Sequence, residues 1–426
     1  MAHDNTLRSP MTLAHWSLLG SLYTTQSLGL MFFVVALVAI LRSGGASLEQ
    51  ISMVYMLGMV WPLKFLWAPL VDRFGAGRPG HYRRWLLWMQ GGLIAVLLLI
   101  GRFDVKADFE VVYALCLLVA LLSATQDIAV DALACRLLPP AGRGMGNGLQ
   151  IAGGLLGNLL GAGAMLMAYT HIGWQGATVL LAMATAVSFV QLLWFREPRW
   201  PFAAISGARM LARLWTFWRR PGGGYWLALL LLYPVGSGLA YALIMPILVD
   251  AGWPLERIGF VVNVLGSLVG VLSALAAGWL IGRLGRRRML VVAAILQIPG
   301  VLVLALPVLG YTGSFSVALA VGLYFLLYNP AAAVLATLMM DHTSAESPAT
   351  DYTLQYSLNQ FFAMGMITVG AALAGTLGYM GVLGLAALAA LAAVGLTLFY
   401  PRDAGGLEAA PAAVVPPVLA ADGPAP

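Results

Sequence analysis

The sequence predicts an all-α integral membrane protein with twelve transmembrane helices in two parallel six-helix repeats and with both termini in the cytoplasm. Three features support this fold class: the composition, the length of the apolar runs, and an internal repeat. Hydrophobic residues make up 61% of the 426 residues and charged residues only 9%, whereas a typical soluble domain has about 25% charged residues. A soluble core cannot bury this much apolar surface, so lipid must solvate a large part of the chain.

Apolar runs long enough to span a bilayer recur along the chain. A spanning helix needs about 20 predominantly apolar residues. Twelve runs meet this length, at residues 17–41, 51–71, 84–101, 109–134, 146–169, 174–195, 224–249, 258–281, 288–308, 314–340, 351–376 and 379–400. Three of them contain prolines at which a bend is expected, in the four pairs Trp61-Pro62, Tyr233-Pro234, Met245-Pro246 and Asn329-Pro330.

The runs divide the chain into two bundles with polar flanks. Residues 17–195 and 224–400 form the bundles, and an arginine-rich linker at 196–223 joins them along the inner membrane face. The polar N-terminus at 1–16 precedes a first run that exceeds a signal peptide in length, so we expect it to be a retained helix. The Ala- and Pro-rich tail at 401–426 is predicted to be disordered.

Charged loop residues orient the helices. With the N-terminus inside, eighteen of the 23 Lys and Arg residues fall on the inner side and four on the outer side, and Lys64 lies within the membrane. Short cytoplasmic loops are enriched in Lys and Arg. Both termini are therefore predicted to be cytoplasmic.

The chain also repeats itself at an offset of 210 residues. Tyr23 matches Tyr233, Asp131 matches Asp341, and Gln150 matches Gln360. The loop stretch 68–75 matches 278–285 at the same offset. A constant offset over six helices indicates two halves in parallel orientation.

Several function classes are disfavoured by what the sequence lacks. Cys116 and Cys135 lie about 28 Å apart on one predicted helix, so they cannot form a disulfide. The histidines show no metal-ligand spacing, no phosphate-binding loop is present, and no nucleophile–base–acid set is evident. We therefore predict no enzyme activity, no metal and no cofactor. No basic, aromatic-interleaved module suggests nucleic-acid binding.

Ionisable residues within the apolar runs are the main functional candidates. Lys64 and Asp127 lie at the same predicted depth, and Asp131 follows Asp127 by one helical turn. Charges at bilayer depth usually pair or mark a pathway, so the pair is either a gating and proton-coupling element or a structural salt bridge. Asp131 is expected to be structural, meeting Arg136 or the loop at Asp72 and Arg73.

Polar side chains on shared helix faces are the candidate substrate contacts. Interhelical hydrogen bonding is the alternative explanation for each of them. The candidates are Tyr23, Gln26, Gln126, Tyr324, Tyr328, Gln355 and Asn359. A glycine-rich run at 144–163 predicts close helix packing instead.

The architecture and a loop motif resemble the major facilitator superfamily. The first copy of the motif keeps Asp72, Arg73 and Gly75, whereas the second has Gly282 in place of the acid. If an acidic latch operates, the first copy must carry it. The resemblance implies a secondary transporter in which two halves rock about a central site.

A narrower resemblance covers most of the first half. The stretches 64–73 (Lys-Phe-Leu-Trp-Ala-Pro-Leu-Val-Asp-Arg) and 123–132 (Ser-Ala-Thr-Gln-Asp-Ile-Ala-Val-Asp-Ala) are similar to the muropeptide permease and acetyl-CoA transporter branch. Within that branch, 22–26 (Leu-Tyr-Thr-Thr-Gln) and 45–50 (Gly-Ala-Ser-Leu-Glu-Gln) most resemble bacterial siderophore permeases.

This resemblance implies a monomeric, multi-pass permease of the bacterial inner membrane that imports a metal–siderophore complex, coupled to protons. Lys64, Asp127, Asp131, Asp72 and Arg73 would couple or gate. Muropeptide uptake, export, or ligand sensing without transport are the alternatives.

Overall fold

The structure is a computed structural model that describes residues 11–43, 45, 47–200 and 207–401. Within these ranges all regular secondary structure is helical, which confirms the predicted fold class. Nine of the described helical stretches are long and apolar enough to cross a membrane. Most of the predicted polar N-terminus, part of the linker, and the predicted disordered tail beyond Pro401 lie outside the described residues.

Two of these stretches are each long enough to cross a bilayer twice. Pro140–Trp194 has 55 residues and Pro348–Leu398 has 51, which correspond to roughly 80 Å of helix against a hydrocarbon core of about 30 Å. Each contains one glycine with a left-handed backbone, Gly173 at φ 65° and Gly378 at φ 66°. These glycines kink the two stretches where the sequence predicts loops.

A further stretch is divided by short turns and is not among the nine. It consists of Leu48–Met56, Val60–Leu63 and Ala68–Arg73, separated by 3-10 turns at Leu57–Met59 and Lys64–Leu66. Counting it once and the two long stretches twice gives twelve segments. In chain order, segments 1 to 12 are Leu13–Arg42, 48–73, His81–Ile100, Phe109–Leu137, 143–172, 174–194, Gly223–Asp250, Leu255–Leu284, Arg286–Val308, Ser314–Asp341, 348–377 and 379–398.

The prolines of the predicted runs interrupt the helices at only some positions. Pro234 lies between Gly223–Leu232 and Val235–Asp250, so the expected break occurs there. Pro330 lies inside the continuous helix Ser314–Asp341, and Pro246 lies inside Val235–Asp250, so neither proline ends its helix. Pro330 has no backbone N–H, so the Leu326 carbonyl oxygen lacks its usual helical hydrogen bond. Ser273 donates its hydroxyl to that oxygen at 2.5 Å. Such replacement bonds allow proline inside membrane helices.

The apolar core is shared by the two halves at one end and divided between them at the other. One cluster of buried residues combines both halves, and it includes residues 128–138 of segment 4 and 331–340 of segment 10. Two further clusters belong to one half each, the first built around segments 1, 3 and 4 and the second around segments 7, 8 and 10. The halves therefore share a core at the arginine-rich end of the bundle, which we call the basic end, and have separate cores at the other end.

Candidate functional site: a buried charge network between the two halves

The buried ion pair joins segments 2 and 4. Lys64 and Asp127 contact each other, and their side chains are 1% and 2% exposed. The Lys64 ammonium lies 4.7 Å from the ring centroid of Tyr356 and 5.1 Å from that of Trp61. Because Tyr356 belongs to segment 11, this charge lies at the boundary between the halves. The structure thus brings together the two charges that the sequence places at equal depth.

Segment 1 completes the surroundings of Asp127. Gln26 donates its Nε2 hydrogen to Asp127 Oδ1 at 2.7 Å, and Ser123 donates its hydroxyl to the backbone carbonyl of Gln26. The carboxylate therefore has a cationic partner and an amide donor. An ion pair at this depth is tolerated only with such additional hydrogen bonds.

Asp131 lies in a second polar cluster one turn along segment 4. Its Oδ1 atom accepts a hydrogen bond from the Tyr23 hydroxyl at 3.1 Å and another from Gln150 Nε2 at 2.8 Å. Asp131 is fully buried. The sequence-based expectation of a helix-end charge was wrong in this respect, because Asp131 is directed into the bundle between segments 1 and 5.

Tyr352 links this cluster to the other half. Its hydroxyl lies 2.9 Å from Gln150 Oε1 and 3.1 Å from Asn147 Oδ1, and it can donate to one of them at a time. Tyr352 belongs to segment 11, whereas Gln150 and Asn147 belong to segment 5. Sequence reasoning missed Tyr352 and Asn147, since nothing local indicates that these two helices meet.

Most of the predicted substrate contacts are used for interhelical bonding in this conformation. Tyr23 and Gln26 bind the two carboxylates as described, and Gln126 donates to the Leu22 carbonyl at 3.3 Å. Tyr324 donates to the Ser237 carbonyl at 2.9 Å. All are at most 4% exposed, so their prediction as cavity-lining residues needs correction.

Gln355 is the clearest example of a predicted substrate contact that is used for interhelical hydrogen bonding instead. Its Nε2 atom donates to the Met339 and Asp351 carbonyls at 3.1 and 2.8 Å, and its Oε1 atom accepts from Trp226 at 2.7 Å. Every polar atom of this buried amide has a partner. Gln355 therefore fastens segments 7, 10 and 11 together and has no group left for a substrate.

Two predicted contacts do line a cavity. Tyr328 and Asn359 face a small cavity of about 80 Å³ between segments 5, 7, 9, 10 and 11. Tyr356, which covers the Lys64 ammonium, forms part of the same wall. The lining also includes Gln297 and Gln360 and no ionisable acid or base. The cavity thus presents amide and tyrosine side chains, which suit a ligand with a polar, uncharged surface.

Asp72 forms a latch between the halves at the basic end. Its carboxylate accepts hydrogen bonds from the backbone N–H groups of Ala349 at 3.1 Å and Thr350 at 2.7 Å, and from the Thr350 hydroxyl at 2.7 Å. Tyr82 adds a fourth bond at 3.0 Å. Asp72 of the first half thereby caps the N-terminus of segment 11 in the second half. Arg73, in contrast, is exposed.

Further contacts close the same end. Arg143 of the first half and Arg286 of the second both bind Asp341, at 2.8 and 2.6 Å. Segments 5 and 8 meet at glycine: a Cβ atom added to Gly144 would lie 2.8 Å from the Gly278 carbonyl oxygen. The backbones therefore touch, as the glycine run predicted.

The linker also holds this end. Arg213, on the linker helix Gly207–Thr216, binds the buried carboxylate of Asp351 through two nitrogens at 2.9 and 3.0 Å. Arg220 adds a bond to the same carboxylate at 3.3 Å. Within the described ranges no three His, Cys, Asp or Glu side chains are placed to hold a metal ion. The network is thus one of hydrogen bonds and ion pairs.

The sequence and the fold match one large class of membrane protein. The profile of the Major Facilitator Superfamily covers residues 19–371, and the chain belongs to this family. The human organic anion transporter MFSD10 (TETRAN) has a similar structure, with a TM-score of 0.65 over 90% of this chain and 98% of that one, at 15% identity. At this identity the likeness concerns the fold.

Bacterial relatives are more similar in sequence. The anhydromuropeptide permease of Escherichia coli is 32% identical over 254 residues, which are 59% of this chain and 52% of the permease. The match thus spans about half the length of that relative. An uncharacterized protein of Haemophilus influenzae is 30% identical over 285 residues, 65% of this chain and 67% of its own length.

Proposed function

We propose that the protein is a proton-coupled importer of the bacterial inner membrane and that its cargo is a muropeptide, a sugar linked to a short peptide. The observation that carries this proposal is the buried network of Lys64, Asp127 and Asp131 at the boundary between the halves. Buried ionisable groups of a membrane protein usually mark a substrate or proton path. Transport would proceed by rocking of the two halves about this network.

The contacts between the halves support a defined starting state. The basic end, which is predicted to face the cytoplasm, is closed by Asp72, by the arginine pairs of Asp341, and by the glycine contact of segments 5 and 8. The apolar core separates towards the other end. We assign this arrangement to an outward-facing or occluded state, from which import would require opening of the Asp72 latch.

The cavity lining supports a sugar-containing cargo. Tyrosine rings and carboxamides, such as those of Tyr328, Asn359 and Gln360, suit polyhydroxylated rings, which bind through stacking and hydrogen bonds. The E. coli relative is named for anhydromuropeptide transport.

The siderophore prediction has weaker support once the structure is considered. The stretches 22–26 and 45–50 carried that resemblance. In the first, Tyr23 and Gln26 bind buried carboxylates. In the second, Ser47 and Gln50 form a capping box at the start of segment 2. These four polar side chains therefore have partners within the fold that account for them.

Uptake in cells tests the proposal. A strain without its own muropeptide permease would express this chain, and we expect it to accumulate radiolabelled anhydromuropeptide in a way that a protonophore abolishes. Ferric siderophores labelled with radioactive iron serve as the competing cargo. Accumulation of iron and not of muropeptide would overturn the cargo assignment, and loss of preloaded muropeptide would indicate export.

A further inference from the structure

The buried network contains one acid more than it has bases. Asp127 and Asp131 are both buried in segment 4, and Lys64 of segment 2 is the cation that contacts Asp127. If both acids were ionised, the network would hold a net negative charge in a medium of low dielectric constant. An uncompensated buried charge is costly, and neutralisation by a proton avoids that cost. One of the two carboxylates therefore carries a proton at rest.

Geometry decides between the two carboxylates. Asp127 is in contact with the Lys64 ammonium, which favours its ionised form. Asp131 has only neutral donors, the Tyr23 hydroxyl and the Gln150 amide, and both bind Oδ1. Its Oδ2 atom is buried without a hydrogen-bond partner among the described residues. An Oδ2–H group fits this position better than a bare carboxylate oxygen.

The other titratable groups around Asp131 do not replace the missing cation. They are Tyr23 on segment 1, Lys64 on segment 2, Asp127 and Cys135 on segment 4, and Tyr352 and Tyr356 on segment 11, while Asp72 and Asp351 act on the neighbouring Cys135. Of these only Lys64 is basic, and it is paired with Asp127. Arg143 on segment 5 is paired with Asp341.

We infer that Asp131, and not Asp127, is the residue that binds and releases the transported proton, while Lys64 and Asp127 remain an ion pair that holds the network in place. In the closed state a proton from the outer side forms an O–H bond with the Asp131 carboxylate. After the basic end opens, that bond breaks and the proton passes to water on the cytoplasmic side. This inference rests on the proposed proton-coupled transport and assigns its site.

A hydrogen-bond chain connects this site to the latch. Gln150 donates to Asp131 and accepts from Tyr352, which lies two residues after Thr350 on the first turns of segment 11. Thr350 holds Asp72. An ionised carboxylate accepts hydrogen bonds more strongly than a neutral acid. The protonation state of Asp131 can therefore change the position of the first turn of segment 11, to which Asp72 is hydrogen-bonded.

Infrared spectroscopy of the purified protein tests the assignment without any cargo. A protonated carboxylic acid has a carbonyl stretching band that ionised carboxylates lack. We expect the wild type at neutral pH to show such a band from a buried group, Asp131→Asn to lose it, and Asp127→Asn to keep it. Loss of the band in Asp127→Asn and its persistence in Asp131→Asn would overturn the inference, whichever cargo the protein moves.

Transport in proteoliposomes gives the second test. Asp131→Asn should still exchange labelled anhydromuropeptide across the membrane at equal pH, but an imposed pH gradient should no longer produce accumulation. Asp131→Glu, which retains an acid, should restore accumulation with a shifted pH profile. Normal accumulation by Asp131→Asn contradicts the inference. If the wild type fails to move muropeptide at all, the proposed cargo is wrong, and the infrared result still decides the proton site.

Discussion

At the scale of single residues, the environment of Lys64 explains how charges persist in this bundle. The ammonium is in contact with Asp127 and lies near the rings of Trp61 and Tyr356, so its positive charge is balanced and shielded from lipid. Removing one partner of a buried pair leaves the other uncompensated, whereas removing both can be nearly neutral. The pair is therefore testable by single and double substitution.

We predict that Lys64→Met lowers the free energy of unfolding by about 3–5 kcal/mol, because Asp127 is left as a buried uncompensated charge. The double variant Lys64→Met/Asp127→Leu should regain most of this loss and remain inactive in transport. Equilibrium unfolding in detergent measures the stability.

Lys106→Met is the matched control, because Lys106 is the other lysine of the chain and is exposed in a loop. It should change the stability by less than about 0.5 kcal/mol. Equal losses for Lys64→Met and Lys106→Met would refute the buried pair.

Part of the site was predictable from local sequence and part was not. The depth rule for intramembrane charges placed Lys64 and Asp127 together, since each helix position follows from residue counting along a run. The partners of Asp131 could not be found in this way. Tyr23, Gln150 and Tyr352 come from three different segments, and their meeting depends on helix rotation and packing that no single run encodes.

At the scale of helices, the first turns of segment 11 hold the other elements of the basic end together. Its first turns present Ala349 and Thr350 to Asp72, Asp351 to the linker arginines, and Tyr352 to segment 5. Four successive residues are about 100° apart around a helix, so they face different neighbours. A displacement of this one turn would loosen all of these contacts together.

We predict that Asp72→Ala opens the basic end, because segment 11 loses a cap worth about 1 kcal/mol and the open state gains roughly fivefold in population. Cysteine at Ala336, which lines the cavity and is 3% exposed, reports the opening. In a background without Cys116 and Cys135, an impermeant maleimide should label it faster from the basic side.

Asp104→Ala is the control for this experiment. Asp104 also accepts backbone N–H bonds, from Lys106 and Ala107 at 2.8 Å, but in a loop at the opposite end. It should leave the labelling of the Ala336 cysteine unchanged. Faster labelling in both variants, or in neither, would show that Asp72 is not a latch.

Segments 5 and 8 provide a second test at this scale. A Cβ atom on Gly148 would lie 2.5 Å from the Ala274 carbonyl oxygen, whereas one on Gly154 meets nothing within 4 Å. We predict that Gly148→Ala destabilises the protein by about 1–3 kcal/mol through overpacking, while Gly154→Ala is neutral or stabilising by up to about 1 kcal/mol. Unfolding in detergent distinguishes the two, and equal effects would contradict the backbone contact.

The helices themselves were largely predictable, and their breaks were predictable only in part. Hydropathy located the runs, because the bilayer imposes a common length. The 3-10 turns around Val60–Leu63 and the linker helix Gly207–Thr216 were missed. Whether proline breaks a helix depends on whether a neighbour replaces the lost bond. Ser273 does so for the helix that contains Pro330, and that contact is not visible in the sequence.

At the scale of the whole molecule, the two repeats are similar in fold and different in chemistry. Asp131 and Asp341 are equivalent in the repeat, yet Asp341 has two arginines and Asp131 has none in contact. Asp72 latches segment 11, while its equivalent Gly282 carries no acid. The first half therefore holds Asp127, Asp131 and the latch acid Asp72, and most of the cavity wall comes from the second half. The membrane orientation and the monomeric state stay predictions.

The most direct test of the account measures proton movement driven by the cargo. Proteoliposomes containing the wild-type protein are placed in weakly buffered medium, and anhydromuropeptide is added without any imposed gradient. The account predicts that the medium becomes more alkaline as protons enter with the cargo, and that Asp131→Asn takes up cargo without this change. Cargo entry by the wild type with no change in external pH would contradict the central claim that the buried acids couple transport to protons.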